Sequence, residues 1–256
     1  VTRNIVEVIC MSPKTSNNGF VFPLYLYPDT GKQKDIFSNV EKTNAPGGRR
    51  PNLSEGFIED FSQKLKLKFV PDGRGDLKKA FGPEDVFDYI YAVFHSPEYR
   101  KRYSDFLKID FPRLPLTSSK KLFRKLCGLG GELVKLHLME KKAKNPAKYP
   151  VQGDDIVDKV RYSEPGQGAK EGRVWINKTQ YFAGVSPEVW EFHIGGYQVC
   201  QKWLKDRKGR KLDIDDMQHY GGIVAALAET MRLMENIDGT IYSNGGFPDA
   251  FNAKMS

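Results

Sequence analysis

Cysteine is scarce in this chain of 256 residues: Cys10, Cys127 and Cys200 are scattered, odd in number and form no C-x-x-C pair. That argues against a disulfide framework or a zinc site and points to buried structural thiols in a reducing cytoplasm. No apolar run approaches the ~20 residues that a membrane span requires. No charged, apolar, small-residue leader opens the chain either. Acidic side chains are outnumbered, 32 against 40 Lys and Arg, and the balance of +8 favours an acidic partner such as nucleic acid.

Catalytic signatures are missing as well. There is no G-x-x-x-x-G-K-[ST] cradle for a nucleoside triphosphate, no G-x-S-x-G elbow and no H-E-x-x-H. His95, His137, His193 and His219 are far apart, so a metal site would have to be assembled wholly by the fold. His137 sits among leucines and reads as a satisfied core or boundary histidine. Glu140-Lys141-Lys142 reads as a charged helix end. Gly128-Leu129-Gly130-Gly131 falls inside a leucine-rich helical pattern without a preceding strand, which suggests close helix packing or a kink rather than a ligand loop.

The residues that are present give an alternating plan. "NIVEVIC" (4–10) and "FVFPLYLYPD" (20–29) are β-branched and aromatic and read as strands. Residues 38–56 are polar and rich in Gly, Pro and Asn, a loop with Arg49 and Arg50 at its tip. "FIEDFSQKLKLKFV" (57–70) is ambiguous between helix and strand, and "PDGRGD" closes it. From Pro83 a helix carries Val86, Ile90, Val93 and Phe94 on one stripe. Ser96-Pro97-Glu98 then restarts a helix with a capping serine, a first-turn proline and an acid at the positive end. "IDFPRLPLTSS" is an extended connector, and a third helix runs from about 118 to 140.

Residues 141–172 are loop-rich, and "GRVWINKTQYFAGV" has the character of a strand or hairpin. Ser186-Pro187-Glu188 repeats the helix start, after which Gly195 and Gly196 are expected to admit a neighbouring element closely and Trp203 to anchor a helix with Val199. The last helix begins at Asp213 with a seam of Met217, Tyr220, Val224, Leu227, Met231 and Met234. The expected class is α+β (mixed α/β), a β-rich part with flanking helical blocks and not doubly wound. The expected divisions are 1–82 strand-rich, 83–142 helical, and 143–256 hairpin plus C-terminal helices, together one composite domain. Because the chain opens on Val1 in a strand-like run, it reads as a piece of a longer polypeptide.

Two dense cationic blocks stand out. Between Tyr197 and Lys211 six cations face Asp206 alone, and between His95 and Lys125 nine face Glu98, Asp105 and Asp110. With Tyr99, Tyr103, Tyr197 and Trp203 among them, such blocks suit a groove that follows a phosphate backbone.

"YIYAVFHSPEYRKRYSDFLKIDFPRLPL", "VWEFHIGGYQVCQKWLKDRKGRKL" and "HYGGIVAALAETMRLMENID" together resemble the C-terminal target-recognition (specificity) domain of type ISP restriction–modification enzymes, over about residues 83–238. The resemblance implies a sequence-specific duplex-DNA recognition module. Its parent would join a nuclease, a helicase-like motor and an adenine-N6 methyltransferase, using ATP, Mg and S-adenosylmethionine, with no cofactor in this segment. Neither an N-P-P-Y motif nor the motor's ATP-binding motif occurs here, so no catalytic centre is expected in it. The expected partners are double-stranded DNA and the methyltransferase domain of the same polypeptide.

Within that reading Arg100, Lys101, Arg102, Lys120, Lys121, Arg124, Lys202, Lys205, Arg207 and Arg210 are the candidates for phosphates. Arg49, Arg50, Asn52, Arg173, Asn177 and Gln180, on loops or strand ends, are the candidates for base edges. Two rival readings remain open from the residues: a self-contained DNA-modifying enzyme or nuclease, and a protein-interaction module docking through the methionine seam.

Overall fold

A computed structural model describes residues 22–28, 45–141, 143–144, 146–166, 170–194 and 196–252. The expected strand at 4–10, Cys10, Lys142 and Gly195 lie outside the described residues, as does much of the loop at 38–56. The chain divides into two compact units: residues 1–134 with 234–256, and residues 135–233. The observed class is the expected α+β, with seven α-helices and only short strands among the described residues.

In the first unit, β1 (Tyr25–Leu26) pairs antiparallel with β2 (Arg50–Pro51), and β3 (Lys68–Phe69) pairs parallel with β4 (Ala80–Phe81). The ambiguous stretch at 57–70 is both things in turn. Helix α1 (Glu55–Leu65) starts where Ser54 Oγ accepts from the Phe57 N–H at 3.3 Å, and stops at Lys66 in the left-handed region, before β3. Helix α2 (Pro83–His95) follows β4, and α3 (Pro97–Arg102) starts at the predicted Ser96 cap, whose Oγ accepts from the Tyr99 N–H at 3.0 Å. Asp238 adds a carboxylate at that end, accepting from Ser96 Oγ and, at 3.0 Å, from the Glu98 N–H. An anion there meets the positive end of the helix.

The core of this unit is aromatic. Phe61 lies within 5.2–5.6 Å, centroid to centroid, of Phe81, Tyr89 and Phe123, in edge-on and tilted pairs that suit the ring quadrupoles. Leu65, Val86, Leu122 and Leu126 are buried too. The expected connector at 109–119 is neither helix nor strand from 111 to 119 and is tied down by hydroxyls: Tyr89 donates to the Pro115 carbonyl and Tyr99 to the Arg113 carbonyl, each at 2.7 Å.

Helix α4 (Lys120–His137) contains the glycine run. A Cβ on Gly130 would overlap the Asp88 carbonyl of α2, so the side-chain-free position lets the two backbones touch. Gly128 faces open space by the same test. Cys127 packs here with its thiol donating to the Asp85 carbonyl, and burial raises its pKa far above the usual range. Asp85 and Asp88 are buried as well. Asp85 accepts from the Gly75 and Gly82 N–H groups at 2.7 and 2.8 Å, and Arg74 pairs with Asp88. Burial raises both carboxyl pKa values, and these partners oppose the rise.

The second unit has an antiparallel sheet of β5 (Arg161–Ser163), β6 (Arg173–Trp175) and β7 (Tyr181–Ala183), in that order. Helix α5 (Pro187–Trp190) starts at the second predicted cap, Ser186. A hairpin of β8 (His193–Ile194) and β9 (Tyr197–Gln198) leads into α6 (Val199–Lys205). Here the expectation for Gly196 fails. A Cβ on it would meet nothing within 4 Å, because it sits exposed in the hairpin turn rather than under a neighbouring element. Helix α7 (Ile214–Tyr242) begins beside Asp213, whose carboxylate accepts from the Asp216 N–H at 2.7 Å. Its seam supplies Tyr220, Val224 and Leu227 to a core with Val174, Phe182, Trp190, Cys200 and Leu204. Burial pushes the Cys200 thiol up to about 11. His137 is satisfied as expected, within 2.9 Å of Thr230 Oγ1.

The glycine geometry yields a paired prediction for unfolding by denaturant. Gly130→Ala should lower stability by at least about 1–3 kcal/mol, the cost of overpacking a close contact. Gly128→Ala should leave stability unchanged or raise it by up to about 1 kcal/mol, the helix-propensity difference.

Candidate nucleic-acid interface

The candidate residues do not form one uniform cationic surface. Just before β2, Arg49 lies 3.9 Å over the Tyr25 ring and donates to Asp72 at 2.7 Å, a bond that raises its pKa further. Arg50, next to it, is exposed and has no ion-pair partner among the described residues. Asn52 sews the strand pair together: its side chain donates to the Pro23 carbonyl and its backbone N–H to Leu24, at 2.9 and 2.8 Å.

On α3, Arg100 turns back to the Phe94 carbonyl at 2.6 Å, and desolvation lowers its pKa. Lys101 and Arg102 point to solvent. Lys120 and Lys121 form the exposed first turn of α4, where no acidic residue is present. One turn on, Arg124 donates twice to the Leu77 carbonyl, at 3.2 and 2.8 Å. That contact keeps its charge unneutralised and holds the loop carrying Lys78 and Lys79. The loop is itself set by Asp76, whose carboxylate accepts from the N–H groups of Lys79, Ala80 and Lys78 and is thereby lowered to about 2.

The block at 202–211 is different, because much of its charge is spent internally. Lys202 pairs with Asp206 at 2.6 Å, and Lys205 donates to Gln201 at 2.6 Å. Arg207 and Arg210 converge on Asp216 at 3.2 and 3.5 Å, which fastens the segment after α6 to the first turn of α7. Arg207 also lies 3.5 Å over the Trp203 ring. Trp203 itself is half-buried between that guanidinium, His219 and Tyr220, and Trp190 is the more deeply enclosed anchor.

Two base-edge candidates are committed elsewhere. Gln180 is fully buried, and its amide donates to Asp155 at 2.6 Å and to the Val151 carbonyl at 3.2 Å while accepting from the Asp155 N–H at 2.9 Å. Asn177 accepts from the Thr179 and Gln180 N–H groups, closing an Asx-type turn, and donates to Asp154, the Ile156 carbonyl and Gln180. Together they bind loop 151–156 to the β6–β7 turn. Gln180 is buried and Asn177 half-buried, and the amides of both are engaged within the fold. Arg173 remains, 4.5 Å over the Tyr181 ring.

Arg161 is absent from the sequence-based set. It lies 4.2 Å over Trp175, on the same sheet as Arg173. The signal for it is parity: Tyr162, Val174 and Phe182 alternate with Arg161, Ser163, Arg173, Trp175 and Tyr181. An isolated arginine outside both charge-dense blocks gives no other sign. Among the described residues no three His, Cys, Asp or Glu side chains converge as a metal site requires. No helix among them is long and apolar enough to cross a membrane.

A family model described as "Type ISP C-terminal specificity domain" matches residues 1–236. No curated protein matches the chain. Among solved structures, the chain is similar to the "cryoEM structure DrdV-DNA complex", with a TM-score of 0.55 and 20% identity over 74% of this chain and 20% of that one. It is also similar to the "ATP-dependent Type ISP restriction-modification enzyme LlaBIII bound to DNA", with a TM-score of 0.48 and 16% identity over 90% of this chain and 14% of that one. A further similarity is to a nuclease-deletion mutant of the type ISP enzyme LlaGI in complex with a DNA substrate mimic. There the TM-score is 0.40, with 23% identity over 62% of this chain and 13% of that one. The chain spans a fifth or less of the length of each of these structures.

The Gln180 network gives a stability prediction. Gln180→Ala should cost about 1–3 kcal/mol by leaving buried partners of its amide unpaired. Arg50→Ala, at an exposed site without an ion-pair partner among the described residues, should change stability by less than about 0.5 kcal/mol. Equal thermal shifts for the two variants would contradict the assignment.

Proposed function

The chain belongs to the family of type ISP C-terminal specificity domains, and from that membership we propose that it reads the base sequence of duplex DNA within a restriction–modification enzyme. In this reading a neighbouring domain of the same polypeptide, an adenine-N6 methyltransferase using S-adenosylmethionine, extrudes and modifies the target adenine once the site is positioned. ATP and Mg serve the motor and nuclease of the same parent, and the enzyme works in the cytoplasm. This segment supplies recognition and leaves the catalysis to its neighbours.

Family membership carries the proposal, and the charge distribution supports it. Lys101, Arg102, Lys120 and Lys121 are exposed and unpaired among the described residues, on helices α3 and α4. Lys120 and Lys121 occupy a first turn without an acid, where the helix macrodipole disfavours cations. A phosphate at that position would relieve the repulsion and accept from both side chains. The cations of 202–211 are suited to a smaller share, since Lys202 is paired with Asp206 and Arg207 and Arg210 share Asp216. The redistribution moves the expected phosphate contacts toward α3 and α4.

The test is fluorescence anisotropy of the 256-residue chain with labelled duplexes across a salt series. Log affinity should fall linearly with log salt, by about 0.9 per phosphate engaged. Replacing Lys120 and Lys121 by Ala should weaken binding to all duplexes alike and flatten the slope by about 0.9 for each phosphate released. Arg207→Ala should instead lower the melting temperature, with a smaller effect on the slope. An affinity independent of salt would overturn the electrostatic part of the proposal.

A further inference from the structure

Four arginines of the described chain lie over aromatic rings: Arg49 on Tyr25, Arg161 on Trp175, Arg173 on Tyr181 and Arg207 on Trp203. A carboxylate divides them into two kinds. Arg49 and Arg207 are each also paired, with Asp72 and Asp216. Arg161 and Arg173 have only their rings, with no ion pair or hydrogen bond to either guanidinium among the described residues. Both belong to the β5–β7 sheet of the second unit.

The sheet's register places them on one face. Arg161 pairs across strands with Trp175 and Trp175 with Tyr181, while Ser163 pairs with Arg173 and Arg173 with Ala183. The alternate residues Tyr162, Val174 and Phe182 pack into the core. An isolated bridge extends the second row by pairing Lys148 with Ala183. The outward positions of the three strands contain no acidic residue, and Lys148 adds a further exposed cation. The Trp175 indole is fixed in turn, its Nε1–H donating to Ser163 Oγ at 3.0 Å, and its ring lies 4.6 Å from that of Tyr181.

We propose that this face of the sheet docks on duplex DNA and that Arg161 and Arg173 determine specificity there by donating to guanine edges. The proposal rests on the DNA-recognition reading given above. A guanidinium offers five N–H donors in a rigid plane and matches two acceptors at once, as guanine O6 and N7 present them in the major groove. Stacking on a ring removes rotamer freedom before binding, so less entropy is lost when the fork engages. A phosphate needs charge rather than that geometry, and the chain supplies it with free lysines on α3 and α4. The ring faces under the guanidinium groups are already occupied, which disfavours a role as platforms for unstacked bases.

The experiment is a randomised-site binding selection on the 256-residue chain, comparing wild type with Arg161→Lys, Arg173→Lys and the double variant. Melting temperatures of all four confirm folding, and Lys keeps the charge while removing the fork. We expect a selected site containing guanine, with each variant losing about 5- to 150-fold discrimination at one guanine position. Binding to unselected duplex should change by less than about threefold. Trp175→Leu, which leaves both arginines but removes one platform, should lose part of the same discrimination. Unchanged selected sequences in the arginine variants, or equal weakening on every duplex, would overturn the assignment while the DNA-recognition reading stands. A wild-type chain that binds no duplex would overturn that reading, and this inference with it.

Discussion

An arginine stacked on an aromatic ring is attracted by the ring quadrupole by about 0.5–1 kcal/mol at an exposed site, and by about 2 when desolvated. The contact costs none of the guanidinium's N–H donors, which remain at the edge of the plane. The neighbour in that plane decides what the residue does next. Asp216 takes Arg207 and Arg210 together, and the result is a clamp between the segment after α6 and the start of α7. Asp72 takes Arg49 beside Tyr25, and the β1–β2 pair is held to loop 71–79. On the sheet no carboxylate arrives from the described residues, and the same local geometry leaves Arg161 and Arg173 held in place with their donors unspent.

The buried acids of the first unit illustrate the opposite case. Asp85 and Asp88 lie on one face of α2, and burying a carboxylate is costly unless it is paired and hydrogen-bonded. Arg74 and two backbone N–H groups meet that need, and Asp88 Oδ1 is left without a partner among the described residues. These contacts tie loop 71–79 to α2, while Arg124 ties it to α4. The loop is thus fixed from both sides before any ligand arrives, and Asp76 sets the turn that displays Lys78 and Lys79.

Local chemistry was the legible part of this fold. The two Ser-Pro-Glu starts, the glycine-bearing helix α4, the β6–β7 hairpin and the Asp213 start of α7 all depend on neighbours within a few residues, and each is where the sequence places it. Side-chain partners were much less legible, because they are chosen by the fold. Asn177 and Gln180 look like exposed turn residues in a polar hairpin, yet loop 151–156 folds over them and consumes their amides. Asp216 lies beyond the cationic run of 202–211, so counting that run's own charges overstates what it can offer a partner. Gly196 has the composition of a packing site and the position of a hairpin turn.

These partnerships separate the cations of the chain into three physical kinds. Lysines and arginines free at helix surfaces carry charge on flexible stems and suit a repeating, sequence-independent acceptor such as the phosphate backbone. Arginines closed by carboxylates stabilise local structure and have little left to give. Arginines fixed by rings alone have charge, geometry and unused donors together, and base discrimination needs all three, since the wrong base differs in the direction of its hydrogen bonds rather than in charge. Density of charge along the sequence finds the first kind and confuses it with the second. The third kind is found by strand parity: a sheet with one face buried in the core must turn every second residue outward, and in β5–β7 that constraint gathers Arg161 and Arg173 onto one rigid surface.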